Sequence, residues 1–363
     1  MKYVALSDLH LGQTGLDNTG QYSVLSSGDP GGGKSKIGAL RDTIETFRND
    51  DQVSLILVGD SLDLSLAYIR TCLEEFVNLL DNLPKFSEII YIPGNHDHHL
   101  WTMHCEHQNV IDQLNRGFLP KSGSVYQATK STGEGCSLLE KILKTRVRLA
   151  YPTFQLGDIQ FTHGHLFGGL YTYISDILEP FLLEEVSYPD YRATVNIALI
   201  ELIYWFIGET GQGMGADGVM EAIFMDIKKG KKGKLHEGVK RAVDVLLPDG
   251  IVKGIPDSWE RALVKWAGRN LIDELVKEPK PLSSLDRHQP SEQSRELAKK
   301  WMANSPQECQ TLVVGHTHVS DDFQLDEDTE IFNLGSWLVE PDDPNPDSRV
   351  LLIDGEDIEL RRV

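Results

Sequence analysis

Carboxylate, amide and imidazole side chains are concentrated in five short segments of this sequence. The segments are Ser7-Asp8-Leu9-His10, Gly59-Asp60-Ser61-Leu62-Asp63, Gly94-Asn95-His96-Asp97, His163-Gly164-His165 and Gly315-His316-Thr317-His318. Mixed carboxylate and imidazole ligands suit manganese, iron or zinc better than calcium or magnesium, which prefer oxygen ligands alone. In an extended chain, Asp8 and His10 point to one face, as do His316 and His318. The residue types and their spacing therefore predict a site for two metal ions.

Each segment stands at the end of a short apolar run, or just after it. The runs are Tyr3–Ser7, Val53–Val58, Ile89–Ile92, Ile159–Thr162 and Thr311–Val314. Runs of this length are typical of strands that are buried on both faces. Helical patterns at Ile37–Phe47 and Tyr68–Leu80 separate the first three runs. This alternation predicts an α/β domain whose site lies at the carboxyl ends of the strands.

The middle of the chain has a different pattern, without strand-like alternation. It reads as successive helices at Tyr191–Ile207, Ala216–Lys229, Leu235–Leu247, Ser258–Val276 and Glu292–Ala303. We therefore expect residues 1–166 and 305–363 to form two parts of one catalytic domain, with residues 167–304 as a helical insertion. The second part adds a strand at Ile331–Leu334 and a hairpin that pairs Val350–Ile353 with Ile358–Arg361.

Charge and cysteine content narrow the class of protein. The 363-residue chain has 55 acidic and 35 basic residues, a formal charge of −20, which argues against general nucleic-acid binding unless metal ions invert the local potential. The four cysteines form no paired motif, so free thiols in a reducing compartment are expected. The sequence runs from Met1 and Lys2 directly into an apolar strand, and we expect a cytoplasmic protein without a signal peptide.

Taken together, the five segments resemble the ordered motifs of the calcineurin-like metallophosphoesterases, D-x-H, G-D-x-x-D, G-N-H-D/E, H-G-H or G-H, and G-H-x-H. The resemblance covers about residues 1–165 and 311–363 and leaves the helical middle unexplained. It implies a four-layer α/β/β/α sandwich that carries a large helical insertion.

The resemblance also implies a ligand set for two divalent metal ions, with manganese favoured over iron or zinc. One ion would be bound by Asp8, His10, Asp60 and His318, and the other by Asp60, Asn95, His163 and His316, with Asp60 bridging. In the fourth motif, the family ligand is usually the histidine before the glycine, so we choose His163 over His165.

The reaction implied is hydrolysis of a phosphomonoester or phosphodiester by a hydroxide that bridges the two ions. His96 would stabilise the phosphoryl group or protonate the leaving oxygen. Asp97 would orient His96, and Asp63 would orient a metal ligand, although a purely structural Asp63 is an equal alternative.

Gly28-Asp-Pro-Gly-Gly-Gly-Lys-Ser35 fits the P-loop pattern of nucleotide-binding proteins. A P-loop should follow a buried strand, but Tyr22–Ser27 is polar at half its positions. We therefore interpret residues 12–36 as a long loop near the metals, in which Lys34 either contacts substrate phosphate or lies on a mobile surface. A P-loop NTPase remains a lesser alternative.

Other features leave the substrate open. The segment Asn333–Trp337 resembles the same region of bacterial UDP-2,3-diacylglucosamine hydrolases, which suggests a lipid-linked nucleotide-sugar pyrophosphate as an alternative substrate. That branch carries arginine in place of His96 and has a shorter insertion. Five lysines between Lys228 and Lys234 form either a solvated loop or a surface for an anionic membrane. The expected partner is thus a small or lipid-linked phosphate ester, and the oligomeric state stays open.

Two further alternatives concern the site and the protein class. His98, His99, His104 and His107 follow the third motif closely and form either a rim with packing contacts or a further metal site. The same fold without metal would be a scaffold protein, which has no need of the complete ligand set.

Overall fold

The computed structural model describes residues 2–13, 21–26, 36–120, 133–167, 192–194, 196–197, 200–201, 204, 292–303, 305, 309–326, 329–339 and 344–363. The chain divides into one unit of Met1–Gly213 with Arg287–Val363 and a second of Met214–Asp286. The second unit lies outside the described residues, as do the glycine-rich Gly28–Ser35 and the lysines at 228–234. The predicted limits of the insertion stay predictions.

The described elements alternate between strands and helices in the first half and are mainly strands near the end. The strands are β1 (Lys2–Leu6), β2 (Tyr22–Ser23), β3 (Val53–Val58), β4 (Ile89–Ile92), β5 (Glu134–Gly135), β6 (Val147–Leu149), β7 (Phe154–Leu156), β8 (Ile159–Phe161), β9 (Thr311–Val314), β10 (Ser320–Gln324), β11 (Glu330–Leu334), β12 (Leu338–Val339), β13 (Arg349–Asp354) and β14 (Asp357–Arg362). The helices are α1 (Ile37–Arg48), α2 (Ile69–Asn82), α3 (His99–Glu106), α4 (Asp112–Asn115), α5 (Ser137–Leu143) and α6 (Glu292–Ala303). A π-helical turn at His107–Ile111 joins α3 to α4, and a 3₁₀ turn spans His165–Phe167.

Two larger sheets carry the motifs. The first has seven strands in the order β14-β13-β1-β3-β4-β6-β5, and the second has five in the order β10-β11-β9-β8-β7. In the first sheet β1, β3, β4 and β6 run parallel, and in the second β8, β9 and β11 run parallel. Parallel strands end at the same edge, so each sheet brings the segments that follow its strands together.

Alternation along the strands explains how the layers pack. In β1, β3 and β4, Ala5, Ile56 and Ile90 lie in one buried cluster with Phe161 and Val313 of the second sheet. The two sheets therefore pack face to face through side chains of period two.

The opposite faces of the sheets are covered by helices. Val4 and Leu55 of the seven-stranded sheet lie in a second cluster with Leu40 of α1 and Phe76 of α2. On the five-stranded sheet, Leu312, Val314 and Ile331 pack with Ala298 of α6. The α/β sandwich predicted from the sequence is confirmed.

The predicted elements agree with the structure to within one or two residues at most ends. The five strand runs, α1, α2 and the β13–β14 hairpin are all present, and α6 has the predicted bounds. The residues described between 192 and 201 are helical. The sequence analysis missed α3, α4, α5, β10 and several strands of two or three residues, because these lack a clear apolar period.

Two further expectations concern the cysteines and membrane spans. Cys72, Cys105, Cys136 and Cys309 are free, as predicted. Within the described ranges, no helix is long and apolar enough to cross a membrane.

Candidate metal centre

The loops that follow β1 and β3 run side by side beyond the edge of the seven-stranded sheet. The Asp8 N–H donates to the Gly59 carbonyl oxygen at 3.1 Å, and the His10 N–H donates to that of Asp60 at 2.9 Å. Beyond the second sheet, the Gly315 N–H donates to the His163 carbonyl oxygen at 3.0 Å. Backbone hydrogen bonds therefore fix the first, second, fourth and fifth motifs pairwise.

Backbone conformation at the motifs is strained. Among the described residues other than glycine, eight have a positive φ, and five of these are predicted metal ligands. The five are Asp8 (53°), His10 (47°), Asp60 (47°), His316 (71°) and His318 (60°). Each such residue costs on the order of 1–3 kcal/mol, and strain of this kind is typical of functional sites.

Glycines in the motifs allow side chains to approach the backbone closely. A Cβ on Gly59 would lie 2.2 Å from Nδ1 of His163, and one on Gly94 would lie 2.2 Å from Oδ1 of Asp60. A Cβ on Gly315 would lie 2.3 Å from Oδ2 of Asp8. The predicted ligands thus occupy the space that these glycines leave open.

One candidate cation site consists of Asp8, His10 and His318, whose ligand atoms lie within 4.8 Å of one another. Nε2 of His10 is 3.1 Å from Nε2 of His318, and the latter is 3.5 Å from Oδ1 of Asp8. Asp8 is fully buried and accepts hydrogen bonds from the His316 backbone N–H at 3.0 and 3.2 Å.

A second candidate site consists of Asp60, His163 and His316, again with ligand atoms within 4.8 Å. Nε2 of His163 is 3.0 Å from Oδ2 of Asp60, and Oδ1 of Asp60 accepts from the His96 backbone N–H at 2.8 Å. Asn95 follows β4 at the same edge, and its Oδ1 is buried without a hydrogen-bond partner.

The donor atoms fit divalent metal ions. Nδ1 of His163 lies 2.9 Å from the Val58 carbonyl oxygen and must donate its proton there, which leaves a lone pair on Nε2 facing the Asp60 carboxylate. Nε2 is buried and has no hydrogen bond of good geometry. A lone pair and a carboxylate repel at this distance, so a proton or a metal ion must lie between them. The buried Asn95 Oδ1 also requires a partner.

Electrostatics around the second site agree with this interpretation. Burial by itself would raise the pKa of Asp60, but His163 and His96 outweigh it and hold that pKa well below its usual value. Burial and the neighbouring His163 lower the pKa of His316 to about 3, so its imidazole is neutral and able to bind a metal. Burial opposes protonation of His163, yet Asp60 and Asp8 raise its pKa to about 9, so metal binding there would displace a proton.

Comparison with known proteins supports the same assignment. The family model described as calcineurin-like phosphoesterase matches residues 1–200. The chain belongs to this family. Membership makes it a metal-dependent phosphoesterase in general terms. No curated protein sequence gives a significant match.

Among solved structures, this calcineurin-like phosphoesterase is similar to the cold-active protein-tyrosine phosphatase of the psychrophile Shewanella sp.. The identity is 11%, over 99% of this chain and 80% of that chain, with a TM-score of 0.29. At this TM-score the likeness adds nothing to the assignment.

The Asp63 carboxylate contacts the rings of two histidines in this phosphoesterase. Its Oδ2 lies 3.0 Å from Nδ1 of His10, and its Oδ1 lies 2.9 Å from Nδ1 of His96. Gln13 and Ser65 donate to the same carboxylate at 3.2 Å. Both rings therefore turn Nε2 away from Asp63, His10 toward His318. His10, Asp63 and His96 also have ligand atoms within 4.8 Å, and these hydrogen bonds account for that closeness.

Asp97 has a different position from the one expected. Its carboxylate accepts from the backbone N–H of Ser61 at 2.8 Å and of Gly94 at 2.6 Å, and from the Tyr91 hydroxyl at 2.5 Å. It ties the loop after β3 to the loop after β4, and the ring of His96 has Asp63 rather than Asp97 as its partner. A catalytic role for Asp97 stays a prediction.

His165 has a different neighbour from His163. Its Nε2 lies 3.4 Å from the Tyr151 hydroxyl, whereas His163 contacts Asp60 directly. The sequence analysis did not identify Tyr91 or Ser65 as neighbours of the site. Neither stands in a motif, so spacing alone carried no signal for them.

Proposed function

We propose that the chain hydrolyses a phosphomonoester or phosphodiester with two divalent metal ions, manganese being favoured. The observation that carries this proposal is the His163–Asp60 pair, in which Nε2 of the imidazole faces a buried carboxylate at 3.0 Å, so that a proton or a metal ion must lie between them. A proton alone would satisfy that pair, but a second donor set of Asp8, His10 and His318 lies on the neighbouring loops. Two adjoining donor sets of this composition support a binuclear centre.

In this proposal Asp8, His10, Asp60 and His318 hold one ion, and Asp60, Asn95, His163 and His316 hold the other. Bound ions would make water nucleophilic at neutral pH and offset negative charge on the phosphoryl oxygens. The protein's own part is to keep these ligands deprotonated and oriented. The buried, low-pKa carboxylate of Asp60 and the neutral imidazole of His316 meet that requirement.

His96 is the proposed acid of the reaction. Burial opposes its protonation, but Asp63 and Asp60 raise its pKa to about 10. At neutral pH the ring is therefore an imidazolium, with a proton on each nitrogen. Nδ1 of His96 donates a hydrogen bond to Asp63. About a quarter of the His96 side chain is exposed. The proton on Nε2 is thus the one that could meet a phosphoryl oxygen or a leaving oxygen.

The lipid-linked alternative gains no support from the segment that suggested it. The backbone N–H of Trp337 donates to the Asp8 carbonyl oxygen at 3.0 Å, and the side-chain amide of Asn333 donates to the Thr317 hydroxyl at 2.7 Å. These contacts support the loops of the metal centre for any substrate. A small phosphate ester therefore stands first, and a lipid-linked ester, membrane contact and a cytoplasmic location stay predictions.

The test starts from chelator-stripped protein that is loaded separately with manganese, iron(II) or zinc. Bound metal and turnover of p-nitrophenyl phosphate and bis(p-nitrophenyl) phosphate are then measured. We expect about two ions per chain and turnover of at least one substrate. Asp60→Asn should lose both, while Asp357→Asn, at the exposed first residue of β14, should lose neither. Absence of both metal and turnover in the wild type would favour the scaffold alternative. A large loss of ATP binding in Lys34→Ala would favour the P-loop.

A further inference from the structure

One carboxylate outside the five motifs accepts hydrogen bonds from three residues that closely follow His96 in the sequence. Glu201 accepts hydrogen bonds from Nδ1 of His98 at 2.7 Å, from Nδ1 of His99 at 2.8 Å and from the Thr102 hydroxyl at 2.8 Å. The Glu201 side chain is 13% exposed and that of His98 is 1% exposed. We call Glu201, His98, His99 and Thr102 the carboxylate clasp.

The clasp holds the loop that carries Asn95 and His96. His98 is two residues from His96, and α3 begins at the next residue. The Thr102 N–H donates to the His98 carbonyl oxygen at 3.3 Å, so the first turn of α3 joins the clasp residues to one another. Fixing His98 and His99 therefore limits how far the Asn95–His96 loop can move.

The other side of the clasp is formed by the described residues 192–194, 196–197, 200–201 and 204, which are helical and are called the helical segment below. Arg192, Ala193, Asn196 and Ile200 are buried, at the spacing of one helix face. Tyr204 stacks on the ring of His99 with centroids 4.2 Å apart and planes 9° apart.

This segment is also tied to the fourth motif. The Arg192 guanidinium donates to the Leu166 carbonyl oxygen, directly after His165. The segment thus contacts the loops after β4 and β8. The family model ends at residue 200, so Glu201 and Tyr204 lie just beyond the part of the chain that it matches.

We propose that Glu201 is a positioning residue for the phosphoesterase reaction, acting on His96 through His98 and His99; this rests on the function proposed above. One ionised carboxylate that accepts from both rings fixes each in the tautomer with the proton on Nδ1. Simple packing of the segment would not need a buried charge with three convergent donors, since burying a charge is costly unless it is paired.

The kinetic test is a double-mutant cycle between Glu201 and His96. Glu201→Gln puts an N–H₂ donor against one of the donors of the clasp and breaks that contact. By analogy with other residues that orient active-site groups, we expect kcat to fall about 10-fold and KM to change by less than about twofold, with bound metal unchanged.

In a His96→Ala background, Glu201→Gln should lower kcat by less than about a further twofold. Equal losses in both backgrounds would overturn the proposal, because they indicate a general structural defect. Glu356→Gln, at an exposed turn, is the matched control.

A second measurement does not depend on activity. Amide hydrogen exchange across residues 94–106 should be about 10-fold faster in Glu201→Gln than in the wild type and in Glu356→Gln. Unchanged exchange there would show that Glu201 does not hold the loop and would overturn the proposal. If the wild type shows no turnover with any metal, the proposed phosphoesterase function fails, and the exchange measurement still decides whether the clasp exists.

Discussion

Nε2 of His163 and Oδ2 of Asp60 are 3.0 Å apart and come from different sheets. Asp60 follows β3 of the seven-stranded sheet, and His163 follows β8 of the five-stranded sheet. A cation between these atoms would bridge the two layers of the sandwich. Metal binding at this candidate site would therefore be linked to the stability of the fold.

Metal removal should destabilise the protein. A cation that binds only the folded chain adds about 2.7 kcal/mol when its free concentration is 100 times its Kd. We expect calorimetry to show a lower Tm in excess chelator than in excess manganese, and His163→Ala to lose most of this difference. A Tm that does not respond to manganese would contradict a structural link between the sheets through the metal.

Gly59→Ala should disturb the centre through His163. The added Cβ would lie 2.2 to 2.6 Å from three atoms of that residue, and Gly59 has a φ of +83°. We expect metal affinity to fall about 10- to 100-fold, measured by titration of the stripped protein. The matched control is Gly157→Ala, which has a φ of +56° and open space around its Cβ. If both variants bind metal equally weakly, backbone strain rather than displacement of His163 is responsible.

Asp63→Asn should impair His10 and His96 together. The carboxylate accepts a hydrogen bond from the Nδ1–H of each ring, while an amide has one acceptor oxygen and presents a donor to the other ring. We expect kcat/KM to fall about 10- to 100-fold and the pKa of His96 to drop, since Asp63 is its nearest negative charge. The pH profile of kcat/KM measures the second effect. An unchanged profile would favour the purely structural alternative for Asp63.

Asp97→Asn should act mainly on stability. An amide at this position cannot accept from the Ser61 N–H, the Gly94 N–H and the Tyr91 hydroxyl at once. We expect urea unfolding to show a loss of about 2–4 kcal/mol. Tyr91→Phe removes one of these donors and should cost only about 1–2 kcal/mol. Loss of turnover at unchanged stability would instead support the catalytic role predicted from the motif.

The ionised Glu201 should make the free energy of unfolding fall at acidic pH. Burial by itself raises the pKa of Glu201, but the hydrogen bonds from His98 and His99 outweigh it and lower the pKa to about 2 from 4.5. Because the folded pKa is the lower one, the stabilisation is present above about pH 4.5 and is lost as the pH falls toward 2, to a total of at most about 3 kcal/mol. The difference in the free energy of unfolding between wild type and Glu201→Gln should therefore shrink as the pH falls from about 4.5 toward 2. A constant difference would contradict an ionised Glu201 in the folded state.

The sequence was sufficient to predict the main strands and the sheet edge at which the candidate site lies. Apolar runs such as Val53–Val58 and Thr311–Val314 predicted strands, and those strands are where expected. Parallel strands bring the residues after their carboxyl ends to one edge of a sheet, so Asp8, Asp60 and Asn95 could be assigned to one edge without coordinates. The pairing of Asp60 with His316, which follows a strand of the other sheet, came from the resemblance to the family. The assignment of the seven ligands to metals stays a prediction that the geometry supports.

Only the tertiary structure shows which groups each carboxylate of the site contacts. Asp63 and Asp97 stand in similar motifs, yet Asp63 contacts the imidazoles and Asp97 contacts the backbone. These contacts depend on how the loops after β1, β3 and β4 lie against one another, and residue spacing does not encode that arrangement. The contact between Glu201 and His98 joins residues 103 positions apart. Such a pairing depends on how the helical segment packs on the sandwich, for which the local sequence pattern holds no information.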